Sequence, residues 1–275
     1  FLMLGAIIGD IVGSVYEFDN IKTKDFPLFR EDSRITDDTV CTVAVADSIL
    51  NNRDPVETMV YWCRKHNSMG YGDRFVKWFD LPWQEPYGSF GNGAAMRVSP
   101  AAFLAPTIEC ARKLALRVTE ITHNHPEGIK GALATSDAIW MAFNSAEPTE
   151  IRKHIETMYG YDLNRTVDLI RPTYKFNESC MGTVPEAIIC ALEAADFEDA
   201  IRNAISIGGD SDTLAAITGA IAEARFMIPD DICQEALRRM PDDLRMVILQ
   251  MYRDASKHTG GFRMPLSAVA GSFAI

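Results

Sequence analysis

The sequence predicts an all-α fold, and three observations carry that prediction. Core-type residues recur at spacings of three and four, as in Ile108, Ala111, Ala115, Val118 and Thr122, which is the period of one helix face. Proline and capping residues stand at the starts of such stretches, as in Asp54-Pro55, Glu147-Pro148 and His125-Pro126. A first helical turn has no use for the N–H that proline lacks. No segment alternates polar and apolar residues in the manner of a half-buried strand.

Taken in order, the first element holds Gly5, Gly9, Gly13 and Glu17 at intervals of four. On a helix this spacing makes a ridge without side chains, along which a second helix can pack closely, and the ridge ends in a carboxylate. Residues 18–34 are polar and irregular, either a plain surface connection or a lid. Ile35-Thr36-Asp37-Asp38-Thr39-Val40 leads into a small apolar run to Ala46, a second helix with two aspartates at its entrance. Asp54-Pro55 opens a third helix to about Asn67, with Arg64, Lys65 and His66 as a solvated last turn. Residues 68–88 are rich in glycine and aromatic rings, which either pack under a loop or line a pocket, with packing the favoured expectation.

Gly88-Ser89-Phe90-Gly91-Asn92-Gly93 then precedes a small-residue helix through Ala94, Ala95, Met96 and Arg97. Such a loop can present N–H groups to a diphosphate, although it lacks the lysine of a P-loop. Helices follow over Thr107–Thr122, Pro126–Phe143 and Glu147–Tyr159. After an irregular stretch at 160–182 come Pro185–Ala195 and a segment capped by Asp196 that runs to Ile207. Gly208-Gly209-Asp210-Ser211-Asp212-Thr213 enters another small apolar helix through Ala222. Pro229–Met240 and Pro241–Tyr252 complete the set. One domain over 1–256 is expected, with a loosely ordered tail at 257–275.

The 275 residues are 47% hydrophobic and 24% charged, an ordinary globular composition. A net charge of −11 argues against a surface that coats nucleic acid. Six cysteines at 41, 63, 110, 180, 190 and 233 form no CxxC pair. They read as reduced core thiols of a cytoplasmic protein. The apolar run Phe1–Val12 is broken by Asp10 and is too short to span a bilayer, so neither a signal peptide nor a membrane segment is expected.

Two helix entrances therefore each carry two aspartates and a threonine. Like charges gathered at buried helix starts are costly unless a cation lies between them. The oxygens on offer, without Cys or His, favour Mg²⁺, Mn²⁺ or Ca²⁺ over Zn²⁺. The pair His123 and His125 sits at a helix junction, where capping or a pocket hydrogen bond is expected rather than metal ligation.

Five motifs in order, Gly9-Asp10 with Glu17, Thr36-Asp37-Asp38-Thr39, the Gly88–Arg97 loop, Thr122-His123 and Gly209-Asp210-Ser211-Asp212-Thr213, resemble those of the ADP-ribosylglycohydrolase family, the relatives of dinitrogenase reductase-activating glycohydrolase. The resemblance implies an orthogonal bundle of many helices with two divalent cations, Mg²⁺ or Mn²⁺, at the base of an ADP-ribose cleft. Glu17, Thr36, Asp37, Asp38, Asp210, Asp212 and Thr213 would hold the ions, with Glu17, Asp38 and Asp210 in catalytic roles. Gly88, Ser89, Phe90, Gly91, Asn92, Gly93 and His123 would contact the ligand. The implied activity is hydrolysis of the N- or O-glycosidic bond between ADP-ribose and a protein side chain or small molecule. Arginine-specific relatives carry Asp-Ile-Gly where this chain reads Met69-Gly70-Tyr71-Gly72-Asp73, so arginine, serine, a metabolite or a nucleic-acid adduct stay open as acceptors. A nucleotide-diphosphate phosphohydrolase and a non-catalytic protein on the same scaffold are the alternatives.

Overall fold

The computed structural model describes residues 3–258, and the tail expected from residue 257 lies, from 259 on, outside the described residues. Fifteen helices form among them: α1 Leu4–Gly13, α2 Asp37–Leu50, α3 Pro55–Lys65, α4 Asp73–Asp80, α5 Gly93–Met96, α6 Ser99–Phe103, α7 Ile108–Thr119, α8 Pro126–Phe143, α9 Pro148–Tyr159, α10 Val167–Ile170, α11 Cys180–Glu193, α12 Phe197–Ser206, α13 Ser211–Arg225, α14 Asp230–Arg238 and α15 Asp242–His258. The only β-type pairing among the described residues is an isolated antiparallel bridge between Gly91 and Ser179. None of the described helices is long and apolar enough to cross a membrane.

The helix starts follow local chemistry. Asp54 accepts hydrogen bonds from the N–H groups of Val56 and Glu57 and places Pro55 in the first turn of α3. Glu147 and Glu150 form a reciprocal capping box at the start of α9. Helix α11 starts at Cys180, five residues before the expected Pro185. Ser179 caps it through the Gly182 N–H, and Pro185 lies inside it, so proline here costs an internal bond instead of marking the start. Helix α4 was not expected in the glycine-rich stretch. It forms because Trp78 and Phe79 share a face that is buried, while Trp83 stays 73% exposed.

Helices α1 and α13 are buried along almost their whole length and pack against each other at the centre, with α8, α11 and α12 around α13. The glycine ridge makes this possible. A Cβ on Gly9 would stand 2.6 Å from the Ala216 nitrogen and nearer still to the Ala215 carbonyl. One on Gly13 would stand 2.5 Å from the Asp212 nitrogen. The two backbones thus touch where other helix pairs are held apart by side chains. At the far end of the crossing the Glu223 carboxylate accepts from the Gly5 N–H at 2.7 Å, and burial pushes its acid up to about 7.

Away from this centre, the buried Asp137 of α8 accepts from Arg112 of α7 at 2.6 Å, His154 of α9 at 2.8 Å and Tyr159 at 2.6 Å. This network ties three helices together. All six cysteines are free thiols, and all but Cys110 are buried. Residues 18–34 are stitched down. Asn20 bonds Gly209 through both N–H and carbonyl, Lys22 donates to the Tyr174 and Ile207 carbonyls, and Lys24 pairs with Asp199.

Candidate metal centre and cleft

The site begins with Asp10, in the middle of the apolar helix α1 and fully buried. Its carboxylate accepts from the Thr36 N–H at 2.9 Å, the Thr36 hydroxyl at 2.6 Å, the Thr39 N–H at 3.1 Å and the Thr39 hydroxyl. A carboxylate from another helix therefore satisfies the orphan amides at the start of α2. Burial raises the Asp10 acid, and these four hydrogen bonds oppose the rise. The Asp37 N–H donates to the Met69 carbonyl at 2.9 Å. With both neighbours fixed, Asp37 and Asp38 are presented at the helix entrance.

The second entrance is shaped by Gly208 and Gly209, whose φ values of +70° and +84° are left-handed and suit glycine. A side chain on Gly209 would also collide with the Tyr174 ring. This turn lifts Asp210 and Asp212 toward α2. Asp210 accepts from the Asn92 amide at 2.7 Å and Asp212 from the Thr213 N–H at 2.9 Å. Glu17, from the turn after α1, brings a carboxylate oxygen into a group with those of Asp210 and Asp212, all within 4.8 Å of one another.

Such crowding is unfavourable without a counter-charge. Burial, then repulsion from Asp210, Glu178 and Asp10, pushes Glu17 up to about 7, with Arg34 opposing. Burial and Asp10 push Asp37 up to about 8. Burial first, and neighbouring carboxylates second, hold Asp38 and Asp212 well above the usual carboxylate range. One Asp38 oxygen is buried without any hydrogen-bond partner. An orphaned carboxylate oxygen beside several others is the donor set a hard divalent cation takes, and these residues fit such an ion.

The cluster floors a cleft of about 540 Å³. Ser89, Gly91, Asn92, Gly93 and His123 line the same cleft, and Asn92 meets the cluster directly at Asp210. The bridge of Gly91 to Ser179, and the Asn92 N–H on the Glu178 carbonyl at 2.7 Å, hold that loop. Buried Arg97 donates to the Thr122 hydroxyl at 2.7 Å, and that hydroxyl lies 2.7 Å from His123 Nδ1. Burial, with Arg97 nearby, holds His123 well below the usual histidine range and therefore neutral.

A profile of the ADP-ribosylglycohydrolase family matches residues 2–258. The chain belongs to that family. Among curated relatives, the ADP-ribosylhydrolase ARH3 of Mus musculus is 24% identical over 304 residues, covering 82% of each chain. An uncharacterized protein of Archaeoglobus fulgidus is 28% identical over 269 residues, covering 83% of this chain and 88% of its own. A solved structure described as an ADP-ribosylglycohydrolase-related protein complex superposes with a TM-score of 0.70 at 23% identity, over 92% of this chain and 96% of that one. That likeness shows the all-α fold.

Glu17, Asp37, Asp38, Asp210, Asp212 and Thr213 line the cleft, as do Ser89, Gly91, Asn92, Gly93 and His123. Thr36 is not on the cleft wall, and its hydroxyl donates to Asp10. Gly88 and Phe90 also stand off the wall. The Gly88 N–H donates to the Asn124 side chain at 2.7 Å, and Phe90 is 45% exposed with its ring 5.3 Å from that of His125. Glu17 does not continue the α1 helix as the spacing implied. The helix stops at Gly13, and Asn20 takes the Tyr16 and Glu17 carbonyls at 2.6 and 2.9 Å, so a turn and not a helical ridge delivers this carboxylate.

Sequence reasoning assigned no role to Asp10, Asn20, Arg74, Tyr87 or Glu178. A charge inside an otherwise apolar helix was the available signal for Asp10. Tyr87 belongs to the aromatic stretch read as packing or lining a pocket, and it lines the cleft; nothing local marks Asn20, Arg74 or Glu178.

Proposed function

We propose that this chain hydrolyses the glycosidic bond between ADP-ribose and an acceptor, with two divalent cations, Mg²⁺ or Mn²⁺, held by Glu17, Asp37, Asp38, Asp210, Asp212 and Thr213. The observation that carries this reading is the convergence of carboxylates from three distant chain segments on the floor of a cleft walled by a glycine-rich turn. When bound, such ions supply Lewis-acid polarisation and a grip on vicinal hydroxyls.

The chain's own residues do the rest. The Ser89 hydroxyl and the Gly93 N–H bind the diphosphate side of the ligand, while the Gly91 and Asn92 N–H groups hold the loop itself. Neutral His123 positions that wall without adding a charge. Asn92 orients Asp210 by donating to one of its oxygens. Asp38, with an oxygen free of protein partners, and Asp210 fix the sugar end. Glu17 is only half-buried, so it has room to direct a water to the anomeric carbon and take its proton, as a carboxylate does in glycosidases with oxocarbenium-like transition states.

Release of free ADP-ribose from arginine-, serine- and O-acyl-linked substrates, with and without Mg²⁺ or Mn²⁺, tests the reading. Loss of release in Glu17→Gln, with metal binding retained, is expected. Near-normal turnover in that variant would remove Glu17 from the chemistry. AMP formed from ADP-ribose would replace the reading with pyrophosphate cleavage.

A further inference from the structure

The cleft lining includes two cations among the described residues, Arg74 and Arg97. Arg97 is sealed at 1% exposure, so Arg74 is the guanidinium that solvent and ligand can reach. It sits in the first turn of α4, in the segment whose Met69 carbonyl accepts from Asp37. It makes no ion pair among the described residues, although carboxylates abound nearby. Instead the guanidinium lies over the Tyr87 ring, 4.9 Å from its centroid, and one nitrogen donates to the Tyr87 carbonyl at 2.8 Å. That clamp fixes the planar fork in the free protein and leaves its remaining N–H groups for another acceptor. Ser89 and His123 line the same cleft.

We propose that Arg74 is a specificity-determining residue that grips an anionic group, phosphate or carboxylate, of the bound ligand. The proposal rests on the reading of the cleft as an ADP-ribosyl site. A pre-oriented guanidinium at the rim of a carboxylate-lined cleft attracts an anion that the rest of the cleft would repel, and it recognises planar or tetrahedral oxyanions through paired N–H donors. Two parts of a substrate offer that chemistry: the diphosphate of the ADP-ribosyl group, and an acidic residue beside the modified side chain of the acceptor.

The test titrates inorganic pyrophosphate in EDTA, and ADP-ribose with Mg²⁺, into the wild-type protein, Arg74→Lys and Arg74→Gln. KM is then measured for two ADP-ribosylated peptides that differ only in acidic or neutral flanking residues. A loss of roughly tenfold or more for both small ligands in Arg74→Gln, smaller in Arg74→Lys and shrinking as salt rises, assigns the diphosphate. Unchanged small-ligand binding with a collapsed preference for the acidic peptide assigns the acceptor. Pyrophosphate, ADP-ribose and both KM values all staying within about twofold of wild type would overturn the proposal, whatever happened to the melting temperature. If the wild type bound no ADP-ribose and cut neither peptide, the functional reading would fail. The pyrophosphate comparison would still judge Arg74, a tenfold difference supporting it and equality sinking it.

Discussion

Gly13→Ala tests the link between helix packing and the candidate metal centre. The added Cβ would lie 2.5 Å from both the Asp212 nitrogen and the Ser211 carbonyl oxygen, and closer to the Asp212 Cα. Ordinary contact requires about 1 Å more, and backbone atoms have no rotamer by which to retreat, so α13 must move away from α1. Alanine gains about 1 kcal/mol in helix propensity over glycine, while overpacking of this kind costs about 3 kcal/mol or more. A net loss of about 2 kcal/mol is expected in urea denaturation with EDTA present. The displaced residue is Asp212, so Mn²⁺ affinity measured by calorimetry should fall as well. Gly5→Ala is the control. Its Cβ would meet Glu223 Cβ at 2.8 Å and the Gly219 carbonyl, at the end of the crossing remote from Asp212. It should lose similar stability and keep its metal affinity. The reasoning fails if Gly13→Ala is as stable as wild type, or if both variants bind Mn²⁺ equally well.

Three further outcomes follow from the same geometry. Asp38→Asn removes a buried charge held among like charges, so the metal-free protein should melt higher than wild type, while the stabilisation that Mg²⁺ or Mn²⁺ gives the wild type disappears; a lower metal-free melting temperature would contradict this. Asp10→Asn leaves an amide where four donors now converge on a carboxylate, and should cost about 2–4 kcal/mol together with metal affinity, since Thr36 and Thr39, which flank Asp37 and Asp38, lose their anchor. For Glu223, burial pushes the folded acid up to about 7 from an ordinary 4.5. The folded state therefore holds its proton more tightly, and this group's contribution is greatest below the unfolded value and falls as pH rises toward 7. Glu223→Gln keeps an acceptor for Gly5. Its stability relative to wild type should climb between pH 4.5 and 7 and level off above, by about 3 kcal/mol at most; parallel pH profiles would refute the assignment.

Local chemistry made much of the fold legible. Caps and prolines marked α3, α8 and α9 because the first turn of a helix needs acceptors and tolerates a missing N–H. The small-residue ridge of α1 announced a close helix crossing before its partner was known. Pro185 misled because tertiary packing supported α11 around a missing hydrogen bond, and α4 was missed because two buried rings outweigh a glycine-rich composition.

For the site, residue type and order alone determined that Asp37, Asp38, Asp210 and Asp212 form acidic helix entrances built from hard oxygen donors. Propensity and charge are local properties that need no coordinates. Only the tertiary structure decided that Asp10 anchors the first entrance, that Asn20 ties the Glu17 turn to the second, and that Arg74 rests on Tyr87 at the rim. Asp10 and Thr36, and above all Asn20 and Gly209, are far apart along the chain, and the packing of α1 against α2 and α13 brings them within hydrogen-bonding range.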